Sequence, residues 1–261
     1  MPIPERLNPV FTPAKRPVAN LRTANLLAEA RKRLIVALDV PDAASAIQLA
    51  ARLEDTCQWF KVGMELFTSV GPAVIEHLLK RGHLVFLDLK FHDIPNTVGG
   101  AVRSAAALGV HKLSIHAAGG PAMLAAARDA LEGMLNPPQL LAVTVLTSMD
   151  SAQLAATGIN RPASEQVELL ASMALAENIR GFVCSPQEVA TLRSLTGPEG
   201  VLVIPGIRPA GAGVGDQKRI ATPAEALCQG ASYLVVGRPI TQAPDPAKAA
   251  EAILKEMAEA L

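Results

Sequence analysis

A chain of 261 residues, half of them apolar, is long enough for one large domain or two small ones and too apolar to remain disordered. Twenty-four Lys and Arg balance 24 Asp and Glu, and a net charge of zero excludes a broad electrostatic attraction to nucleic acid, an anionic membrane or a polyacidic partner. Any anion this chain binds must be gripped locally.

Residues 1–33 carry early prolines (Pro2, Pro4, Pro9, Pro13, Pro17) and then a helical pattern over Leu21 to Lys32. They read as an extension that packs on the outside or bottom of the domain beginning at residue 34, with Arg31-Lys32-Arg33 as a solvated helix terminus. The Pro-rich start lacks the apolar core of a signal peptide, and no apolar run reaches the roughly 18 residues of a membrane span. Cys57, Cys184 and Cys228 are far apart, with no C-x-x-C pair and no His partner at ligand spacing, as in a reduced cytoplasmic protein.

From residue 34 onward, short runs rich in Val, Ile and Leu recur, each closed by a polar or Gly-containing turn. They predict strands at Leu34–Val40, Gln58–Gly63, His83–Lys90, Lys112–Ala117, Leu140–Thr147, Gly181–Ser185, Val201–Ile207 and Tyr233–Pro239, spaced about 28 residues apart. Helical patterns fill the gaps at Asp42–Leu53, Gly71–Lys80, Asn96–Leu108, Pro121–Leu131, Ser164–Ala176, Pro186–Leu195 and Pro223–Gln229. Continuously apolar strands, each followed by a helix, imply parallel pairing with the sheet covered by helices. Eight such units predict a single (β/α)8 TIM barrel over residues 34–261, preceded by the N-terminal extension; an open doubly wound sheet is the structural alternative.

In such a barrel the chemistry sits at the carboxyl ends of the strands. Asp39, Lys61, Asp88, Lys90, His116, Thr147, Ser148, Arg208, Gly237 and Arg238 all fall there. Asp88 and Lys90 are two residues apart on one strand, on the same face as Phe86, which aims both charges into the barrel mouth. A bare buried pair is costly unless further partners satisfy it, and Lys61 and Asp39 on the two preceding strands are placed to do so. The network is either a reaction centre or an interior salt bridge closing the top layer of the barrel.

A second polar region begins at Pro205-Gly-Ile-Arg208, continues through a Gly-rich stretch to Gln217 and includes Gly237-Arg238. Glycines let backbone N–H groups approach an anion, two arginines add fork-shaped donors, and barrels commonly hold phosphate beside strands 7 and 8. A phosphate monoester is the expected ligand group, with the Gly-rich stretch as a lid. The histidines and isolated thiols form no convincing metal or nucleophile set, and Cys184 reads as packing.

Asp88-Leu-Lys-Phe-His-Asp-Ile-Pro-Asn-Thr97 resembles the signature of the orotidine 5′-phosphate decarboxylase family. Ala37-Leu-Asp39, Phe60-Lys-Val-Gly63, Val143-Thr-Val-Leu-Thr-Ser148, Pro205-Gly-Ile-Arg-Pro209, Gly215-Asp-Gln217 and Val236-Gly-Arg-Pro239 agree with it, over roughly residues 34–250. The resemblance implies decarboxylation of orotidine 5′-monophosphate to UMP in pyrimidine synthesis, with neither metal nor organic cofactor, in a homodimer. It implies that Lys90 protonates C6 of the pyrimidine and that Asp88 faces the substrate carboxylate. Asp93, Ile94 and Thr97 would help complete the partner's site, and Asp39 and Lys61 would contact the ribose. Thr147 and Ser148 would lie along the base, and Gln217, Arg208, Gly237 and Arg238 would serve the phosphate, beside Pro205. Asp-x-Lys-x-x-Asp is shared with a barrel decarboxylase that acts on a keto-sugar phosphate with magnesium, which is the nearest enzymatic alternative. A barrel that senses pyrimidine phosphates without catalysis is the non-enzymatic one, disfavoured by the intact Lys90, Asp88 and Asp93.

Overall fold

The computed structural model describes residues 18–209 and 219–261. Eight strands run β1 Leu34–Ala37, β2 Trp59–Gly63, β3 Leu84–Phe91, β4 Lys112–His116, β5 Gln139–Val143, β6 Gly181–Val183, β7 Val201–Ile204 and β8 Tyr233–Val236. Each pairs in parallel with the next, and β1 pairs with β8, so the sheet closes into a barrel in simple sequence order. The expected barrel architecture is observed, and the open-sheet alternative is excluded by the β1–β8 ladder.

Among the described residues the helices are α1 Val18–Arg33, α2 Ala43–Leu53, α3 Met64–Val70, α4 Ala73–Lys80, α5 Pro95–Ala107 and α6 Pro121–Asp129. They continue with α7 Ser151–Ala156, α8 Ala163–Ala176, α9 Val189–Thr196, α10 Pro223–Cys228, α11 Arg238–Thr241 and α12 Pro246–Glu259. Their starts reflect local chemistry. The Asp42 side chain caps α2 through the Ser45 N–H, Thr222 and Glu225 form a reciprocal capping box at α10, and proline stands in the first turn of α5, α6, α10, α11 and α12. α1 runs directly into β1 and packs on α12, outside the barrel.

Most strands are shorter than their apolar runs. β1 stops at Ala37, β5 at Val143, β7 at Ile204 and β8 at Val236, so Asp39, Thr147, Arg208 and Arg238 stand just past the ladders rather than on them. The two-residue period of a strand accounts for the interior. Ile35 and Ala37 lead up to Asp39, Trp59 to Lys61, and Phe86 to Asp88, so an apolar plug of Ile35, Ala37, Trp59, Phe86, Leu141, Val203 and Val235 underlies the charged mouth. A larger apolar shell, including Phe60, Leu87, Leu113 and Phe182, fills the space between strands and helices.

Among the described residues, the opposite end of the barrel holds one buried lysine. Lys112, only 4% exposed, lies over the Trp59 and Tyr233 rings, its Nζ 5.0 and 4.2 Å from their centroids, and donates to Gln139 Oε1 at 2.5 Å. Burial pushes its pKa down from 10.5 to about 8. Below about pH 8 the amine is protonated both folded and unfolded, so the desolvation cost is fully present; it is relieved as pH rises from about 8 to 10.5. The rings return part of that cost. Lys112→Met is therefore expected to stabilise the fold by about 2 kcal/mol at pH 7, a gain that vanishes near pH 10.5. Urea unfolding at both pH values checks this, and a Met variant less stable than wild type at pH 7 contradicts it.

Candidate active site

The C-terminal mouth of the barrel encloses a cavity of about 280 Å³. Asp39, Lys61, Asp88, Lys90, Thr147, Pro205, Arg208, Gly237 and Arg238 line it, over a floor that includes Phe86, Val143 and Val235. These residues come from loops and strand ends spread over 200 positions of sequence, and closure of the barrel alone brings them together.

The four charges read from the sequence form one chain of contacts. Lys61 Nζ donates to Asp39 Oδ1 at 3.0 Å and lies 3.5 Å from Asp88 Oδ2, which in turn is 2.8 Å from Lys90 Nζ. Burial would raise the Asp88 carboxyl, but the Lys61 and Lys90 ammonium groups outweigh it and hold Asp88 below the usual carboxylate range. Burial likewise disfavours charge on Lys61, and the Asp88 and Asp39 carboxylates more than compensate. The site therefore favours the charged forms of Asp88 and Lys61 together. Gly63 clears the space for it, since a methyl there would lie 2.9 Å from Lys61 Nζ and 3.3 Å from Asp39 Oδ1.

Strand β3 is not regular where its two charged residues stand. The ladder to β4 runs Phe86↔Lys112 and Leu87↔Leu113 and resumes at Phe91↔Ile115, so Asp88, Leu89 and Lys90 oppose the single residue Ser114. Lys90 has a positive φ of 51°, a conformation that costs an L-residue about 1 kcal/mol. The simple pleat expected from sequence is thus replaced by a bulge, although Asp88 and Lys90 still face the same cavity. Beyond it, His92 stacks on His116 with ring centroids 5.2 Å apart, and burial, helped by His92 and Lys90, lowers His116 to about 4, leaving it neutral.

On the far wall, Gly206 adopts φ 77°, and Arg208, 8% exposed, donates from Nη1 to the Ile207 carbonyl at 2.8 Å. The Arg208 N–H donates to the Ala221 carbonyl at 2.9 Å, pinning the two chain segments that flank the Gly-rich stretch. Arg238 is exposed, in the first turn of α11, with Gly237 before it. The Gly-rich stretch itself, residues 210–218 with Gln217, lies outside the described residues, as do residues 1–17. Asp93, Ile94, Thr97 and Ser148 do not line the cavity; all four are exposed, and the Asp93 carboxylate accepts from the Ile94 N–H at 2.6 Å. Cys184 lines the cavity floor, and burial raises its thiol far above the ordinary range, which suits packing.

Three buried polar residues near the mouth escape the sequence reading. Ser114 contacts Asp88. Arg219 and Glu188, 8% and 5% exposed, form an ion pair; Arg219 Nη2 also donates to the Leu146 carbonyl at 2.9 Å, and Glu188 Oε2 accepts from the Ser185 N–H at 3.0 Å. The pair thereby ties together the loops after β5 and β6 and the segment leading to α10. Removing one charge of a buried pair strands the other, so Glu188→Gln is expected to cost about 3 kcal/mol in urea unfolding. A loss under about 0.5 kcal/mol would show that Arg219 is adequately held without it.

Comparison with known proteins matches this architecture closely. A family model described as orotidine 5′-phosphate decarboxylase / HUMPS family matches residues 32–253. The orotidine 5′-phosphate decarboxylase of Moorella thermoacetica is 52% identical over 234 residues, covering 87% of this chain and 93% of that protein. The enzyme of the same name from Halorhodospira halophila is 53% identical over 228 residues, covering 87% and 97%. The crystal structure of orotidine 5′-phosphate decarboxylase from Lactobacillus acidophilus superposes with a TM-score of 0.76 at 41% identity, covering 86% of this chain and 98% of that one. A match that takes in the whole barrel, at half the residues identical, leaves one conclusion: the chain belongs to the orotidine 5′-phosphate decarboxylase / HUMPS family.

Proposed function

We propose that this protein decarboxylates orotidine 5′-monophosphate to UMP and CO2, a step of pyrimidine nucleotide synthesis, without metal or organic cofactor. The observation that carries this reading is the Lys90 ammonium 2.8 Å from Asp88 in the same cavity as Arg208 and Arg238. One end of the cavity is built for a reaction that develops negative charge, the other for a phosphate. Loss of CO2 breaks the C–C bond at C6 and leaves its electron pair on that carbon. A preorganised ammonium stabilises this charge as it forms and then supplies the proton, leaving UMP and a neutral amine that solvent reprotonates. Asp88 faces the departing carboxylate and holds Lys90 in place through their 2.8 Å contact. Asp39 and Lys61 contact the ribose, Thr147 and Ser148 the base, and Arg208, Gln217, Gly237 and Arg238 the phosphate, with Pro205 shaping the wall.

Asp39 and Asp88 direct their carboxylates at ammonium groups, which supports a cofactor-free site over the magnesium-dependent alternative. We further propose a cytoplasmic homodimer in which Asp93, Ile94 and Thr97 complete the partner's site; the 66% exposure of Ile94 supports an apolar contact there. Among the described residues no helix is long and apolar enough to cross a membrane. Residues 1–33 are read as an extension to a barrel domain of residues 34–261.

The test is to mix the purified protein with orotidine 5′-monophosphate in EDTA and follow the pyrimidine absorbance. Turnover that survives chelation is expected. No turnover with or without magnesium overturns the activity, and turnover lost in EDTA and restored by magnesium overturns the cofactor-free part.

A further inference from the structure

Ser114 is fully buried at the centre of β4, between the buried Lys112 at the opposite end of the barrel and the charges of the mouth. Its hydroxyl donates to Asp88 Oδ1 at 2.8 Å and accepts from the Lys90 backbone N–H at 2.9 Å. Ser114 is also the single residue of β4 that stands opposite the three-residue bulge of β3. A serine hydroxyl has one donor and can accept as well, and here both capacities are used on the two residues that bracket the bulge.

We propose that Ser114 is a positioning residue for the decarboxylation, acting through Asp88 and Lys90 at once. The bulge removes the regular ladder partner from the Lys90 N–H, and a buried N–H left unpaired is costly. Ser114 Oγ replaces that partner and so holds Lys90 in its left-handed conformation, which in turn sets where the side chain leaves the strand. The same oxygen fixes one carboxylate oxygen of Asp88, and the other, Oδ2, is left to the Lys90 and Lys61 ammonium groups. One hydroxyl therefore fixes the root of Lys90 and orients the carboxylate that holds its tip. Ser114 does not line the cavity, so its role is to place these groups rather than to touch substrate.

The inference rests on the proposed decarboxylase reading. Ser114→Ala is expected to lower kcat about 30-fold with KM within about twofold, because a small misplacement of a reacting group is felt in the transition state far more than in binding. Ser114→Cys, similar in volume but a poor donor, should reproduce the loss, and Ser114→Thr, which keeps the hydroxyl, should recover most of kcat. The acid limb of the pH profile should also move to higher pH in Ser114→Ala. Asp88 there loses one bond that favours its charged form, while Lys61 and, beyond it, Asp39, together with Lys90 and His116 on the neighbouring elements, are unchanged.

Wild-type kcat and an unmoved acid limb in the Ala and Cys variants, with melting temperatures near wild type, would overturn the proposal. A purely structural role would lower stability and move neither. Titration of the Asp88 carboxyl by carbon-13 NMR in the unliganded protein separates this inference from the function it rests on. The titration should shift upward in Ser114→Ala whatever the substrate, and an unchanged titration overturns the positioning role even if turnover of orotidine 5′-monophosphate is confirmed.

Discussion

Replacing Lys90 by alanine is expected to lower kcat by about 10⁴ or more while leaving UMP affinity within about tenfold. General acid catalysis by a placed group contributes about 10²–10⁴, and a preorganised charge at the developing carbanion contributes at least as much as one oxyanion-hole donor, about 10²–10³. Lys90 supplies both, and the two losses fall on the transition state. The site should keep its shape, since Asp88 retains Lys61 at 3.5 Å and Ser114 at 2.8 Å, and lysine and alanine bear the same backbone cost at φ 51°. Lys90→Arg separates the two roles. It restores a charge beside Asp88, but a guanidinium does not give up its proton, so kcat should stay low. Single-turnover measurements with excess enzyme, paired with UMP titration, check both variants. A wild-type kcat in Lys90→Ala would remove the proton-transfer role outright.

How much of this is legible in the sequence depends on where each signal resides. All eight strands are visible because a parallel strand covered on both faces is a continuous apolar run, as in Leu34–Ala37 or Val201–Ile204. Most of their ends read too late, because the apolar character continues past the last ladder bond, as from Val143 to Val145 and Leu146, whereas β2 ends at Gly63 as read and β3 runs one residue further, to Phe91. Helix α12 escapes the reading although its signals are local: Asp245 caps it, Pro246 opens it, and Ala250, Ile253, Leu254 and Met257 form a buried stripe. It lies after the eighth strand, beyond the last strand-to-strand gap that a helix must fill. Helix α3 escapes it because the helix begins at Met64, immediately after Gly63 ends β2, with no separate turn to announce it.

The charged site is legible to the extent that it depends on strand period and barrel topology. Asp88 and Lys90 at a spacing of two, and Lys61 and Asp39 on neighbouring strands, are correctly brought together by those two rules. What the rules cannot supply is any contact created by irregular backbone or by a distant partner. The bulge at Lys90 is stabilised by Ser114, 24 residues away, and nothing in Lys-Leu-Ser-Ile-His distinguishes that serine from any other in a strand. Glu188 and Arg219, 31 residues apart, carry no sequence signal that sets them apart, because most Glu and Arg are exposed. Their burial is a product of the fold.

The phosphate end of the cavity carries the second large prediction. Arg238→Ala is expected to lower kcat/KM for orotidine 5′-monophosphate about 100-fold, mostly through KM, and to change kcat/KM for orotidine less than about threefold. A charge-assisted bond to phosphate is worth about 1.5–3 kcal/mol, which sets the first figure, and the nucleoside has nothing for this side chain to bind, which sets the second. Arg238 is exposed in the first turn of α11, so its truncation opens no core cavity, and thermal unfolding should move by no more than about 2 °C. Arg208 makes the useful contrast. It is buried, with one Nη1 bond committed to the Ile207 carbonyl, so Arg208→Ala should cost stability as well as phosphate affinity. The comparison of the two substrates matters because phosphate is remote from the bond that breaks. Interaction there can assist chemistry only if part of its binding energy is realised in the transition state, and a fall in kcat with the phosphorylated substrate, beside the rise in KM, would measure that part. Equal effects of Arg238→Ala on nucleotide and nucleoside would show that the arginine acts on the scaffold, and would remove the phosphate from this end of the barrel.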